Sequence, residues 1–306
     1  VLGFADGCDV VTFDHEHVPG PILEKLEARG VAVRPGPRAL INAQDKAIMR
    51  RTLEGVGAPV PAWRIVESPA QAQDFAETVG YPLILKTSRG GYDGKGVWRV
   101  ESASHLDAVM AQPLPPGAVW LAEAAVPFMQ ELSAQVARTP SGQTAAYPVV
   151  RTVQTGGICS EVVAPAPGLD PDRAVDAQRI ALEIAGALDV TGMLAVEMFD
   201  TGNEILVNEL AMRPHNSGHW TIEGAVTSQF ENHLRAVLDL PLGSPNVREP
   251  AAVMVNILGG EMGDLYSAYR HVFARDPGRK VHLYGKDVRP GRKVGHVTAG
   301  GSDPQS

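Results

Sequence analysis

The stretch "GMLAVEMFDTGNEILVNELAMRP", residues 192–214, constrains the fold more than any other. Two apolar runs flank "DTGN", a turn composition, and read as one β-hairpin. Each run carries a single carboxylate inside an otherwise apolar pattern, Glu197 and Glu209. A buried carboxylate requires a partner. Side chains alternate between the faces of a strand. The two glutamates therefore share a face only if the hairpin is centred near Asn203 with an odd-numbered loop or a bulge. Paired carboxylates that leave room for phosphate oxygens and water suit magnesium rather than zinc. An ion pair with an arginine such as Arg213 is the alternative.

Strands and helices alternate through the first hundred residues, which indicates an α/β fold. "DVVTF" (9–13) and "VAVRPGP" (31–37) read as strands, and "GPILEKLEARG" (20–30) as a helix closed by Gly30. A helix is expected to open at Asn42, carry Ile48, Met49, Leu53 and Val56, and stop at Gly57. A second has Ser68 as N-cap, Pro69 at its first position and Gly80 past its end. From 117 to 165 the pattern changes to four strands of an antiparallel sheet: "AVWLAEAAV", "ELSAQVART", "TAAYPVVRTV" and "ICSEVVAPAP". A long helix follows, with Ala177, Ile180, Ile184 and Leu188 on one face, and another is expected over about 224–238. "AAVMVNILG" and "KVHLYGK" are expected as small strands of a third unit.

The chain has 306 residues, enough for two or three domains. A net charge of −8 argues against a general nucleic-acid binder. No run approaches the length of a membrane helix. Two cysteines with no metal or disulfide spacing fit a reducing cytosol. No signal peptide is evident. The chain begins at Val1 directly in strand-like pattern, so its natural beginning is expected to lie upstream. In "DHEHV", His15 and His17 alternate along an expected strand without a third metal ligand in reach.

"KTSRGGYDGKGVW" (86–98) joins two strands through a glycine-rich flap. Bare backbone N–H groups and lysines suit phosphate, but neither the P-loop pattern nor a strand-to-helix dinucleotide fingerprint is present. Lys86 ends an apolar strand, where a charge needs solvent or a partner. Lys46 sits in the first turn of a helix, where the macrodipole disfavours a cation and an anion is welcome. Donors crowd two further stretches. These are Arg213, His215, Asn216, Ser217 and His219 in "RPHNSGHW", and Lys286, Arg289, Arg292, Lys293 and His296 in "YGKDVRPGRKVGH". In an acidic chain both read as a local pocket for a phosphorylated small molecule.

Together these stretches resemble the ATP-grasp superfamily and, within it, the 5-(carboxyamino)imidazole ribonucleotide synthase family. "VPFMQELSAQVAR", "YPVVRTVQTGGI" and "LVNELAMRPHNSGHWTIEGAVTSQFENHLRAV" add to the match, and "NELAMRPHNSGHW" and "RPGRKVGH" are specific to this branch. The resemblance implies an α+β ATP-grasp fold. Residues 1–40 would be the remainder of an N-terminal α/β domain. Residues 41–243 would form the ATP-grasp domain, with a lid subdomain at about 62–123, and 244–306 a small β-rich C-terminal domain. It implies a ligase that activates bicarbonate with ATP and carboxylates 5-aminoimidazole ribonucleotide. Lys46 and Lys86 would meet ATP phosphates beneath a lid of Gly91, Tyr92, Asp93, Gly94, Lys95 and Gly96. Glu123, Ala124, Ala125 and Val126 would meet adenine, Glu131 the ribose, and Gln154 would lie near ATP. Glu197 and Glu209, beside Asn208, would hold two magnesium ions. Tyr92, Asp93, Arg213, His215, Asn216 and Ser217 would line the carboxylation site. Lys286, Arg292 and Lys293 would hold the ribonucleotide phosphate, and Asp93, Arg213, His215 and Lys286 would act in catalysis. A cytoplasmic homodimer with no nucleic-acid or membrane partner is implied. The family's "GGGQLGRM"-type turn is absent, Ala124 stands where a second acidic residue is common, and Met212 where proline is usual. A related ATP-grasp ligase, or an ATP-binding module without turnover, is the competing reading.

Overall fold

The computed structural model describes residues 1–91, 94–261 and 263–303. The chain opens with β1 (Val10–Val11), α1 (Gly20–Ala28) and β2 (Ala32–Val33), the two strands pairing in parallel. Next come α2 (Pro37–Gln44) and α3 (Lys46–Gly55). The single helix expected from Asn42 is thus two. Asp45 between them is extended (φ −138°, ψ 109°), and its Oδ1 accepts from the N–H groups of Ala47 and Ile48 at 2.9 and 3.1 Å. The apolar periodicity runs on across this cap, which is why pattern alone hides the break.

A four-stranded antiparallel sheet follows. It contains β3 (Trp63–Val66), then α4 (Pro69–Val79) with the expected Ser68 cap, then β4 (Leu83–Thr87), β5 (Val97–Val100), α5 (Ala103–Met110) and β6 (Trp120–Ala124). Its order is β3-β6-β4-β5, with α4 and α5 closing a separate core around Phe75, Leu83, Leu85, Leu106 and Trp120. Strand β6 had been expected in the larger sheet. It lies instead between β3 and β4, buried on both faces. A doubly buried strand has no alternation to say which sheet it joins.

The larger sheet is built from β7 (Gln130–Arg138), β8 (Thr144–Ala146), β9 (Val150–Thr155) and β10 (Ile158–Ala164). After α6 (Pro171–Ala187) it gains β11 (Gly192–Asp200) and β12 (Ile205–Ala211). Then come α7 (Thr221–Gly224) and α8 (Gln229–Val237); the helix expected over about 224–238 is α8, which begins only after its cap at Ser228. β13 (Ala251–Leu258), α9 (Tyr266–Arg275), β14 (Lys280–Leu283) and β15 (Lys293–Gly301) complete the chain. The order is β12-β11-β7-β9-β10-β13-β15-β14, with β8 on β7, so the last three strands extend the same sheet through the β10–β13 pairing. Helix α6 buries Ala177, Ile180 and Ile184 in the main core with α1 and α2. Among the described residues no helix is long and apolar enough to cross a membrane.

Asp45 also accepts from Arg89 Nε at 2.6 Å, tying α3 to the segment after β4. Asp45→Ala is expected to lower unfolding free energy by about 1–2 kcal/mol, read by urea denaturation, with Asp45→Asn retaining most of the cap.

Candidate active site

Strand β4, helix α3 and the β11–β12 hairpin meet at one buried carboxylate. Glu123 on β6 is fully enclosed and accepts from Arg50 Nε through Oε1 and from Lys86 Nζ through Oε2, each at 2.7 Å. Arg50 lies one helical turn after Lys46 and is 0% exposed. Burial acts to raise the Glu123 pKa, but the Lys86 and Arg50 charges overcome it and hold the group at about 2. Burial lowers the Lys86 pKa, against the opposing pull of Glu123. Lys86 also donates to Asn208 Oδ1 at 3.2 Å, and Lys46 is ion-paired with Glu209.

The hairpin register explains how neighbouring residues reach two different lysines. Glu197 faces Glu209 as a direct Cα partner, whereas Met198 faces Val207. The register shifts by one at Asn208, so of the two devices that would let the glutamates share a face, an odd-numbered loop or a bulge, the hairpin uses the bulge. Burial and the nearby Glu209 and Glu131 charges raise the Glu197 pKa to about 7. Burial would raise Glu209 too, but the charge and hydrogen bond of Lys46 keep it low. Glu131 is pushed up by burial and moderated by a hydrogen bond with Gln154. Among the described residues no three His, Cys, Asp or Glu side chains group to hold a metal. Glu197 and Glu209 face each other across the hairpin, and a carboxylate raised by burial and a neighbouring carboxylate is donor chemistry that a bound cation would relieve.

The segment Glu123–Val126 leads from β6 toward Phe128, which stacks on Phe199 at 4.9 Å. The Ala124 N–H is engaged by Ala62 O at 2.9 Å, and Ala125 and Val126 are half-buried. Beside it, the glycine-rich loop closes down tightly. A Cβ on Gly94 would meet Gly157 Cα at 3.2 Å, and one on Gly96 would meet Thr87 Oγ1 at 2.5 Å. Gly91 lies near the Lys46 side chain, and Lys95 is exposed. Tyr92 and Asp93 lie outside the described residues.

The donor-rich loop follows β12. Arg213 Nε donates to Glu16 at 2.6 Å. Glu16 belongs to "DHEHV", which is a bend rather than the expected strand, and His17 N–H donates to His15 Nδ1. Asn216 exchanges amide hydrogen bonds with Asn256 of β13 at 2.9 and 2.7 Å. Gln229, at the start of α8, accepts from the His215 N–H at 2.9 Å and donates to its carbonyl at 2.8 Å. Ser217 is buried behind His215, bonded to Ser133 Oγ at 2.8 Å and accepting from Gln135 Nε2 at 3.1 Å. Burial, Arg213 and Lys293 lower the His215 pKa to about 3, so the ring is neutral. Lys293 also acts on Glu197 and His219. Lys286 is exposed, with its ammonium 5.3 Å from the Tyr284 ring centroid, and Arg292 donates to Asp287 O at 3.3 Å. The structure thus gathers Lys46, Lys86, Glu123, Asn208 and Glu209, places Lys293 toward His215 and Glu197, and leaves the Lys286 and Arg292 side chains at the β14–β15 turn.

The ATP-grasp domain profile matches residues 51–230, and the phosphoribosylaminoimidazole carboxylase C-terminal domain profile matches 252–306. The chain is 52% identical over 303 residues to the N5-carboxyaminoimidazole ribonucleotide synthase of Mycobacterium bovis, covering 98% of this chain and 71% of that protein. The chain belongs to the N5-carboxyaminoimidazole ribonucleotide synthase family. The Thermus thermophilus synthetase structure superposes at TM-score 0.89 with 41% identity, covering 99% of this chain and 80% of that one. The Aspergillus clavatus synthase, solved with ADP and 5-aminoimidazole ribonucleotide, matches at TM-score 0.88 with 36% identity, covering 97% and 78%.

In this synthase family member, sequence reasoning did not single out Arg50, Glu16, Gln135, Gln229, Asn256 or Gly157. "MRRTLEG" reads as an ordinary solvated helix face. Only the four-residue spacing from Lys46 to Arg50 hints that both point the same way. Glu16 was masked by the histidines on either side of it.

Removing the Glu123 charge leaves Arg50 and Lys86 buried without their carboxylate. Glu123→Gln is expected to cost about 3–5 kcal/mol at neutral pH. A depressed folded pKa stabilises above the ordinary value of 4.5 and loses that contribution as pH falls toward about 2. Urea unfolding between pH 5 and 2.5 should therefore show an acid loss in the parent chain that is flattened in the variant.

Proposed function

We infer that the chain catalyses ATP-dependent carboxylation of 5-aminoimidazole ribonucleotide with bicarbonate, giving 5-carboxyaminoimidazole ribonucleotide, ADP and phosphate in purine biosynthesis. It is an ATP-grasp carbon–nitrogen ligase. The observation that carries the reading is the junction at which the Asn208 bulge presents Asn208 to Lys86 and Glu209 to Lys46, directly beside Glu197. Two cations aimed at the same place as two carboxylates describe a site for a polyanion with its counter-ion.

Bicarbonate oxygen attacks the γ-phosphorus of ATP, ADP leaves, and carboxyphosphate forms. The exocyclic amine of the ribonucleotide then attacks the carboxyl carbon, the phosphate leaves, and the amine gives up a proton. Lys46 and Lys86 neutralise the phosphates, and Glu123 with Arg50 holds Lys86 in place for this. The loop carrying Gly91, Gly94, Lys95 and Gly96 closes over the triphosphate and keeps water from the acyl phosphate. Glu123 to Val126 receive adenine, with Glu131 and Gln154 at the ribose side. Glu197, Glu209 and Asn208 would hold magnesium, whose charge would offset that of the transferring phosphoryl group. Arg213, His215 and Asn216 line the carboxylation site, a part that the family resemblance also gives to Tyr92 and Asp93, and Lys286, Arg292 and Lys293 take the ribonucleotide phosphate. The domain boundaries at 40/41 and 243/244, a homodimeric state and a cytoplasmic location complete the proposal.

Phosphate release from ATP and bicarbonate, with and without 5-aminoimidazole ribonucleotide, tests the reaction. Stimulation by the ribonucleotide is expected, and its absence overturns the assignment. Glu209→Ala should lower magnesium-dependent turnover on the order of a thousandfold with the circular dichroism spectrum unchanged; full activity would remove the metal assignment. Lys293→Ala should weaken ribonucleotide binding about ten- to a hundredfold, the worth of one charged hydrogen bond, with ATP affinity largely kept in titration calorimetry.

A further inference from the structure

The loop that carries His215 is fixed from behind by groups that determine which imidazole nitrogen holds the proton. His215 precedes the 3-10 turn Asn216–Gly218, and its Nδ1 accepts from the Ser217 backbone N–H at 3.4 Å. A backbone N–H can only donate, and at 3.4 Å this long contact biases the lone pair toward Nδ1 without fixing it. The Ser217 hydroxyl lies 2.9 Å from the same nitrogen. That hydroxyl already accepts from Gln135 Nε2 at 3.1 Å and contacts Ser133 Oγ at 2.8 Å. Its oxygen accepts from Gln135, and with Ser133 donating to it as well the Ser217 proton goes to Nδ1, the arrangement that agrees with the Ser217 N–H on the same nitrogen. Ser217, Ser133 and Gln135 are all buried, at 1%, 0% and 2% exposure, so water does not compete for these bonds. Gln229 clamps the His215 peptide on both sides. Gly218 has no room for a side chain, since a Cβ there would lie 2.4 Å from both Gln135 and Gln229.

The proton of the neutral ring is therefore on Nε2. That nitrogen points toward the paired glutamates, 3.8 Å from Glu197 Oε1 and beyond hydrogen-bonding distance. Among the described residues it donates to no protein group. We propose that Ser217, backed by Gln135 and Ser133, is a positioning residue that holds His215 as the Nε2–H tautomer, so that His215 donates a hydrogen bond to a carboxyl oxygen of the activated bicarbonate and does not take the amine proton. This rests on the carboxylation reading above. The lone pair a base would need is turned away from the site and already engaged. A donor aimed at an oxygen that gains charge as the amine attacks is worth about 10²–10³ in rate.

The tautomer is read first, on the nucleotide-free chain, by two-bond nitrogen–proton correlation spectra of isotope-labelled histidine, with the His215 signal assigned by its loss in His215→Gln. An Nε2–H pattern that becomes mixed in Ser217→Ala is expected. An Nδ1–H pattern in the parent chain, or no change in Ser217→Ala, overturns the proposal. This measurement does not involve turnover, so it stands whether or not the carboxylation reading holds. Ribonucleotide-stimulated phosphate release then compares two variants. Glutamine places an amide donor near the position of Nε2 but cannot accept a proton as a base. His215→Gln is expected to stay within about tenfold of the parent in kcat, whereas His215→Ala falls about 10²–10³-fold with the KM for ATP unchanged. Equal loss in both variants would make His215 a base and overturn the assignment. Absence of ribonucleotide stimulation in the parent chain would instead refute the carboxylation reading itself.

Discussion

One buried carboxylate ties together distant pieces of this chain. Glu123 draws Arg50 from α3 and Lys86 from β4 into contact, and Lys86 in turn reaches Asn208 on the hairpin. Three separately coded pieces of chain are thereby held at fixed distance. A buried ion triad contributes little net stability, because the desolvation of its members offsets most of the attraction. Its value lies in geometry: none of the three can move without stranding a charge. A lysine held in this way is pre-placed for an anionic ligand, and the cost of ordering it is met in folding rather than in binding.

The second constraint is the bulge at Asn208. A regular hairpin would send Asn208 and Glu209 to opposite faces. The extra residue breaks alternation locally, so that one strand serves Lys86 and Lys46 from adjacent positions and still sets Glu209 against Glu197. The same device raises the Glu197 pKa, since burial and a facing carboxylate both disfavour its charge. On the far side of the site, the loop after β12 combines the Arg213–Glu16 ion pair with paired amides and hydroxyls. Asn216 pairs with Asn256 through both amide groups, and Ser217 is bonded to Ser133 and Gln135 away from water. Such networks specify one arrangement of the loop.

Much of this was legible before any coordinates. Period-two apolar runs around "DTGN" predicted the hairpin, and the demand that Glu197 and Glu209 share a face called for an odd-numbered loop or a bulge, of which the structure has the bulge. Ser68, Pro69 and Gly80 marked α4, because caps and turn residues act through their immediate neighbours. Illegible were the break at Asp45 and the membership of β6. The first is a cap embedded in a continuing helical period, and the second is a strand buried on both faces, so neither leaves a distinguishing period. Arg50, Gln135 and Gln229 stayed hidden for another reason: long polar side chains are ordinarily solvated, and burial alone makes them informative.

The sequence by itself determined the class of the fold, the hairpin with its two glutamates, the glycine-rich loop and the family, because these depend on spacing between near neighbours and on motifs read in order. Only the tertiary structure decided that Glu123 is enclosed by Arg50 and Lys86, that Glu16 reaches Arg213 across nearly two hundred residues, and that Ser217 stands behind His215. Those pairings are set by how sheets and helices pack. The free energy of burying a charge or an amide, and hence its need for one particular partner, does not exist until the chain has closed around it.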